Sequence, residues 1–410
     1  MKSGVSMNIM FITLNYPEEQ QQTNLYTDLM AEFKRNGHDV TVVCQTEKRN
    51  GKSTAVIDHR HIPVLRVLTG NVTKTKMIEK GISILLLENQ FIKAIKNHLS
   101  HKNFDLILYS TPPITFAKVI KFLKDTQNVT TYLLLKDIFP QNAVDIELIR
   151  ENGLIHRYFK IKEKHLYQLS DLIGCMSEGN KKYLLQHNPF INEAKIEVNP
   201  NTIQPSSRIE STDTKYTRLK FGIPQDALLF IYGGNLGKPQ GIDFLITSLD
   251  LYKNKEEFYF LIVGSGTEYA TIQNYIDSTK PNNIRLESFM VKEDYDALVQ
   301  ASDVGLIYLD KRFTIPNIPS RLLGYMDSSK PVLAVTDKNT DLKDIIKEAK
   351  CGYFTPAGDA KSFISNMEKI KEEKVALQEL GENGRRYLEK NYQSTNSYDT
   401  ILKHFKNGDE

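Results

Sequence analysis

The sequence predicts an α/β protein of two doubly wound halves, each a parallel sheet with helices on both faces, opposed across a cleft. Three observations carry this. Short runs of buried-strand character alternate with helical periodicity along almost the whole chain, the pattern of parallel sheets joined by crossover helices. The alternation breaks once, between about residues 200 and 225, where Asn, Thr, Pro, Ser and Gly collect before a new strand. The length, 410 residues, exceeds one ordinary domain and suits two of roughly 200. The halves are therefore read as Rossmann-like domains at 1–203 and 204–384, and 385–410 as a helix that packs back on the first.

In the first half, Asn8–Leu14 is an apolar strand closed by a turn at Pro17. Residues 24–36 place Leu25, Leu29, Ala31 and Phe33 at helical spacing, and Gly37 ends that helix. Asp39–Cys44 is the next strand, completing a βαβ unit. The pattern recurs with strands at 105–109, 130–135, 171–176 and 197–199, the first three followed by Ser110-Thr-Pro-Pro113, Lys136-Asp-Ile-Phe-Pro140 and Ser177-Glu-Gly179. The second half repeats it with strands at 228–232, 258–263, 284–287, 304–308, 331–335 and 352–354. Glycine turns follow the first two of these, Gly233-Gly-Asn-Leu-Gly237 and Gly264-Ser-Gly266. Ligands of doubly wound sheets bind at the carboxyl ends of the strands, where these turns fall.

Composition bounds the rest. Apolar residues make up 40% and charged residues 25% of the chain, as in a folded globular protein. Cys44, Cys175 and Cys351 are far apart, odd in number and outside any zinc spacing, so they read as reduced core thiols of a cytosolic protein. The apolar run Ile82–Leu87 is far shorter than a membrane span, and Ile9–Leu14 is too short for a signal peptide. Residues 1–200 carry 26 Lys and Arg against 20 Asp and Glu, the remainder 27 against 30. A basic first half suits an acidic partner, a phosphate-bearing acceptor or an anionic lipid surface, although solvated Lys-rich helix faces produce the same balance. The stretch Ile155–Leu169, with His156, Arg157, Lys160, Lys162, Lys164 and His165 among aromatics, is the segment for peripheral contact with an anionic membrane; an ordinary surface helix is the other reading.

Chemistry concentrates on few residues. The Gly233–Gly237 turn lies between a strand and a helix, where backbone N–H groups and the helix N-terminus favour an anion and Lys238 adds a full charge. Neither GxGxxG nor a P-loop is present. Ser320 and Arg321 precede a helix, and the planar guanidinium suits a diphosphate. Asp137 follows an apolar strand; a carboxylate there either takes a proton from an acceptor hydroxyl or caps a turn. No Ser/His/Asp arrangement and no metal-binding pattern is legible.

In order along the chain, Ser110–Pro113, Lys136–Pro140, Gly234–Gly241, Val263–Gly266, Ala301–Asp303 and Pro319–Met326 with Lys330-Pro-Val332 resemble the retaining GT-B glycosyltransferases of family 4. Within that family they look most like the WbuB-type enzymes of bacterial O-antigen, capsule and exopolysaccharide biosynthesis. The resemblance implies a sugar nucleotide, UDP-linked, on the second domain, its pyrophosphate near Gly234, Asn235, Lys238, Ser320 and Arg321. Gln240, Gly266 and Leu322 fall in the same donor-binding segments, and the base would lie near Phe289, Met290 and Val291. It implies Asp137 as the catalytic acidic residue, a lipid-linked or glycan acceptor on the first domain, retention of the anomeric configuration, no cofactor and no required metal. No nucleic acid is expected.

Three departures stand out. Glu18–Asn24 replaces the family's Gly-Gly loop, Asn235 and Gln240 replace an Arg and a Lys (a change the WbuB-type group shares), and Gly324 stands where a Glu holds the donor ribose. Asp327 is the residue considered for that ribose. A catalytically silent protein that binds a partner or a glycan is the alternative these departures leave open; the missing GxGxxG argues against NAD.

Overall fold

The computed structural model describes residues 6–73, 75–207 and 213–405. Part of the expected linker, 208–212, and the last residues of the expected final helix, 406–410, lie outside the described residues. The chain divides into two compact units, residues 1–204 with 393–410, and residues 205–392.

The first unit runs β1 (Asn8–Thr13), α1 (Leu25–Arg35), β2 (Asp39–Glu47), β3 (Ala55–His59), β4 (Ile62–Thr69), α2 (Met77–Leu99), β5 (Leu106–Ser110), α3 (Ala117–Thr126), β6 (Thr130–Leu135), α4 (Gln141–Asp145), α5 (Leu154–Leu169), β7 (Leu172–Cys175), α6 (Glu178–His187) and β8 (Ile196–Val198). Its strands lie in the order β3-β4-β2-β1-β5-β6-β7-β8. All pairings are parallel except β3 with β4. The strands are apolar on both faces because helices cover both; Phe11, Val42, Leu108 and Leu134 are buried from solvent in one cluster. Helix α1 starts where expected, with Asn24 accepting from the Tyr26 and Thr27 amides at 2.9 and 3.0 Å, a capping box that satisfies orphan donors.

Two pieces were not anticipated. The hairpin β3–β4 adds an antiparallel edge, turning through Arg60 and His61 at φ 53° and 62°, the geometry that a two-residue hairpin turn demands. Helix α2, of 23 residues, crosses between β4 and β5.

The second unit runs α7 (Thr214–Lys220), β9 (Leu228–Gly233), α8 (Ile242–Tyr252), β10 (Phe258–Val263), α9 (Tyr269–Thr279), β11 (Ile284–Glu287), α10 (Lys292–Ala301), β12 (Val304–Tyr308), α11 (Arg321–Asp327), β13 (Val332–Thr336), α12 (Leu342–Ala349), β14 (Gly352–Pro356), α13 (Ala360–Glu372) and α14 (Ala376–Asn391). The sheet order β11-β10-β9-β12-β13-β14 is wholly parallel. The chain steps outward from β9 to β11, then returns to the other side of β9 as β12, so the strand order reverses between β9 and β12.

The stretch expected as one closing helix is two elements. Residues to Asn391 belong to α14 of the second unit, where the Arg385 guanidinium bonds the Asp327 carbonyl at 2.6 Å and its carboxylate at 2.7 Å. Helix α15 (Ser394–Leu402) belongs to the first. There Tyr398 packs edge-on to Phe33 at 5.0 Å, and Ser397 Oγ donates to Asn199 at 2.7 Å.

Candidate functional site

A cavity of about 840 Å³ opens in the second unit at the carboxyl ends of β9, β10 and β11, walled by α10 and α11. It lies over the reversal between β9 and β12, where open α/β sheets hold ligands. Its size is that of a small-molecule site. Gly234, Asn235, Met290, Ser320 and Arg321 all line it.

Arg321 is set by its neighbours. Its guanidinium lies 4.2 Å from the centre of the Tyr232 ring, a cation–π contact. Nη2 donates to Gln240 Oε1 at 3.1 Å, and Nη1 is buried with no hydrogen-bond partner. A buried donor of a cation is costly to leave unpaired. The Tyr232 hydroxyl donates to the Asn235 carbonyl at 2.7 Å, so one ring supports the arginine and shapes the glycine turn. Gly234 sits at φ 134°, and a Cβ there would lie 3.1 Å from Arg321 Nη2; only glycine lets the turn pass so close. Ser320 stands before α11 without capping it, which leaves its hydroxyl on the cavity wall.

The turn itself is less open to an anion than its glycines imply. The Gly234 amide donates to the Val263 carbonyl at 2.9 Å and the Leu236 amide to Ser265 at 2.9 Å. These two amides tie the turn to the end of β10 and the residues just after it.

The other expected donor residues lie off the cavity. Gln240 acts behind Arg321 and accepts from the Tyr232 hydroxyl at 3.3 Å as well. Leu322 is fully buried in the core; the α-helical turn from Arg321 points it inward. Gly266 serves a close approach, since a Cβ would stand 2.2 Å from the Leu236 carbonyl oxygen. Lys238 is exposed on the short helical turn after Gly237, and Val291 is exposed just ahead of α10. Asp327 does not line the cavity; it accepts from Arg385 and from the Ser206 amide at 2.9 Å. Gly324 does line it, with open space where a side chain would begin. The carboxylate on the wall is Asp296 of α10, beside Tyr295 and Ser328. Its signal in the sequence was faint: one acid among several in Lys292–Asp296. Asp303, in the Ala301-Ser-Asp303 segment, is structural, accepting from Arg218 and from the Leu229 amide, each at 2.7 Å.

In the first unit the strand order reverses between β1 and β5, where Ser110 Oγ donates to Thr13 Oγ1 at 3.1 Å. Asp137 follows β6, the neighbour of β5. Asn142 Nδ2 donates to both of its carboxylate oxygens at 2.7 Å. Burial raises the Asp137 carboxyl to about 6 against the pull of Asn142 and the Ile138 amide, and burial draws its neighbour Lys136 down to about 7. Both therefore titrate close to neutrality, the range in which acid–base groups work. The Glu18–Asn24 loop is spent on the β3–β4 hairpin: Gln20 takes the Arg60 amide at 2.7 Å, and the Glu19 carbonyl lies 3.0 Å from His59 Nε2. On α5, His156 is buried, while Lys160 and Lys162 pair with Glu163 and Glu88 at 2.5 and 2.7 Å, leaving Arg157, Lys164 and His165 as the exposed members of its basic set.

Two parallel-sheet, Rossmann-like units, the second with a cation-lined cavity over its switch point, define the GT-B class of architecture. Residues 213–387 match the family described as Glycosyl transferases group 1, and residues 22–207 match Glycosyltransferase Family 4. The chain is thus a glycosyltransferase built of family 4-like and group 1 domains, homologous to bacterial O-antigen glycosyltransferases. It is 22% identical over 331 residues, 78% of each chain, to the probable glycosyltransferase WbjE of Pseudomonas aeruginosa. It is 28% identical over 173 residues to the O-antigen biosynthesis glycosyltransferase WclY of Escherichia coli, covering 39% of this chain and 48% of WclY. The fold is shared with Anabaena Alr3699/HepE solved with UDP-glucose, at a TM-score of 0.69 and 14% identity over 97% of this chain and 99% of that one.

Proposed function

We propose that the chain transfers a sugar, hexosyl or N-acetylhexosaminyl, from a UDP-sugar to a lipid-linked or glycan acceptor in the synthesis of a bacterial surface polysaccharide, with retention of configuration. The observation that carries this reading is Arg321, held on the cavity wall by Tyr232 and Gln240 with one nitrogen buried and unpartnered. A diphosphate oxygen supplies what that nitrogen lacks. The O-antigen role of WclY and the UDP-glucose of HepE support the pathway and the donor. The WbuB-type group remains the subgroup the motifs resemble.

In this reading the diphosphate lies against Arg321, Ser320 and Asn235, with exposed Lys238 at its margin. The base stacks near Phe289 and Met290, and Asp296 with Ser328 takes the ribose hydroxyls beneath the opening at Gly324. Cationic side chains stabilise the leaving diphosphate, so the reaction needs no metal. Asp137 takes the acceptor proton. The enzyme works at the membrane surface where a lipid-linked acceptor would be presented.

A screen of UDP-, GDP- and dTDP-sugars by melting temperature tests the donor. Stabilisation by UDP-sugars above the others is the expected result; stabilisation by none removes the reading. Product configuration by NMR then tests retention, and undiminished turnover in EDTA tests metal independence.

A further inference from the structure

The first unit has a cavity of its own. It holds about 510 Å³ at the carboxyl ends of β1, β2 and β4, and all of its lining residues belong to this unit. That end of a parallel sheet is where α/β proteins place ligands.

Three side chains on its wall are buried with a polar atom that meets no partner in the protein. Tyr16, Thr46 and Arg66 are 5, 2 and 6% exposed, and the Tyr16 hydroxyl, Thr46 Oγ1 and Arg66 Nε make no hydrogen bond. The sheet register sets two of them. Cys44 lies beside Arg66 and Thr46 beside Leu68, so Thr46 and Arg66 stand on the same face of neighbouring strands. Arg66 is anchored at its tip, with Nη1 donating to the Tyr16 carbonyl at 2.7 Å and Nη2 to the Pro17 carbonyl. A single dry hydroxyl is tolerable, whereas three such polar atoms around one cavity cost stability and call for a ligand that returns their hydrogen bonds.

The charge on the wall sets the ligand's sign. Glu47 pairs with Arg49 at 2.6 Å and takes the Val72 and Thr73 amides at 3.1 and 2.9 Å. Glu18 pairs with Lys52. Arg66 is the remaining charge on the wall, and among the described residues it bonds carbonyls and no carboxylate. A buried guanidinium without a counter-ion favours an oxyanion. The rest of the wall suits hydroxyls: beside Tyr16 and Thr46 it carries the carboxamide residues Asn15, Gln45 and Asn50. One oxyanion and several hydroxyls on a small molecule are the chemistry of an acidic sugar, a uronate or a sugar phosphate.

We propose that this cavity binds an acidic sugar of the acceptor, its carboxylate or phosphate on Arg66 and its hydroxyls on Tyr16 and Thr46. This rests on the reading of the chain as a transferase with a glycan or lipid-linked acceptor, and it gives that acceptor a charge.

The test is saturation-transfer NMR of the full chain with glucuronate, glucose 1-phosphate, glucose and inorganic phosphate. At least one acidic sugar should bind about tenfold or more tighter than glucose, as a charge-assisted contact predicts; which of the two binds separates uronate from phosphate. Glucose or the phosphate ion binding as tightly as the acidic sugars overturns the proposal, and so does binding of neither acidic sugar. Arg66→Gln should remove the preference for the acid. Because Arg66 also holds the backbone at Tyr16 and Pro17, Tyr16→Phe and Thr46→Val are the cleaner probes, each removing an oxygen that has no protein partner. Each should weaken the acidic sugar about three- to tenfold while the melting temperature holds or rises, the opposite of what a structural hydroxyl gives. Unchanged sugar affinity in both variants overturns the proposal. UDP affinity, measured on the same proteins, should not move. Sugar binding without UDP binding would remove the donor reading and leave this site, and UDP binding without sugar binding would do the reverse.

Discussion

On the proposed reading of the cavity, Arg321 is the side chain that meets the donor's charge. Its guanidinium is already oriented by the Tyr232 ring and Gln240, so a ligand gains a charge-assisted contact without ordering a flexible cation. Arg321→Ala should weaken UDP binding by about 1.5–3 kcal/mol, the worth of a hydrogen bond to a charged group, with calorimetry as the readout; an unchanged affinity would take Arg321 out of the site. Asp137 tests the acceptor side. With its carboxyl raised to about 6 by burial, activity should fall as pH drops through about 6, and Asp137→Asn should lower kcat by about 10²–10⁴-fold and erase that acidic limb. The same shift has a stability sign. A carboxyl whose folded pKa lies above its unfolded one contributes stability that is complete below the unfolded pKa and lost as pH rises through about 6. Asp137→Asn should therefore melt about 2–4 °C higher than the parent at pH 8 and at the same temperature near pH 4.

Elements show how much of this was legible. The turns after β9 and β10 were readable because their glycines answer local demands: Gly234 at φ 134° against Arg321, and Gly266 against the Leu236 backbone. Which amides of the turn after β9 are already engaged was not, because those of Gly234 and Leu236 bond the Val263 and Ser265 carbonyls, a pairing only the fold creates. Helix α2 escaped notice for a different reason. Its buried face includes Ser83 and Glu88 while its outer face carries Ile78, Ile82, Leu85 and Leu86, so the apolar periodicity that reveals a helix is blurred from both sides. The hairpin β3–β4 turns on Arg60 and His61 rather than on glycine or asparagine, and is held by Gln20 from a distant loop. Asp327 looked available in sequence and is bound to Arg385, 58 residues away. Contacts of this range also set element stability. Arg218 of α7, buried, bonds the carbonyls of Ala301 and Ala227 and the carboxylate of Asp303. Arg218→Ala should cost about 3–5 kcal/mol in urea unfolding, because Asp303 is left without its cation and the carbonyls without a donor.

At the scale of the whole chain, the two units differ in how they are assembled from sequence. The second is one continuous segment, 205–392, with its own core of Phe230, Phe260, Leu306 and Phe363 and every lining residue of the cavity proposed for the donor. The first needs both ends of the chain. Helix α15 supplies Ile401 and Leu402 to its core, packs Tyr398 edge-on against Phe33, and the Ser394 amide donates to the Ile203 carbonyl at 3.0 Å. Residues 205–392 expressed alone should fold cooperatively and bind UDP within about threefold of the full chain, as a domain with its own core and complete site should. Removing 393–410 from the full chain should expose the α1 face and unfold the first unit while UDP binding persists. Calorimetry of the two proteins with and without UDP checks both outcomes: the nucleotide should raise the transition of 205–392 and of the truncated chain alike. A fragment that does not bind UDP would show that the donor site draws on residues of the first unit.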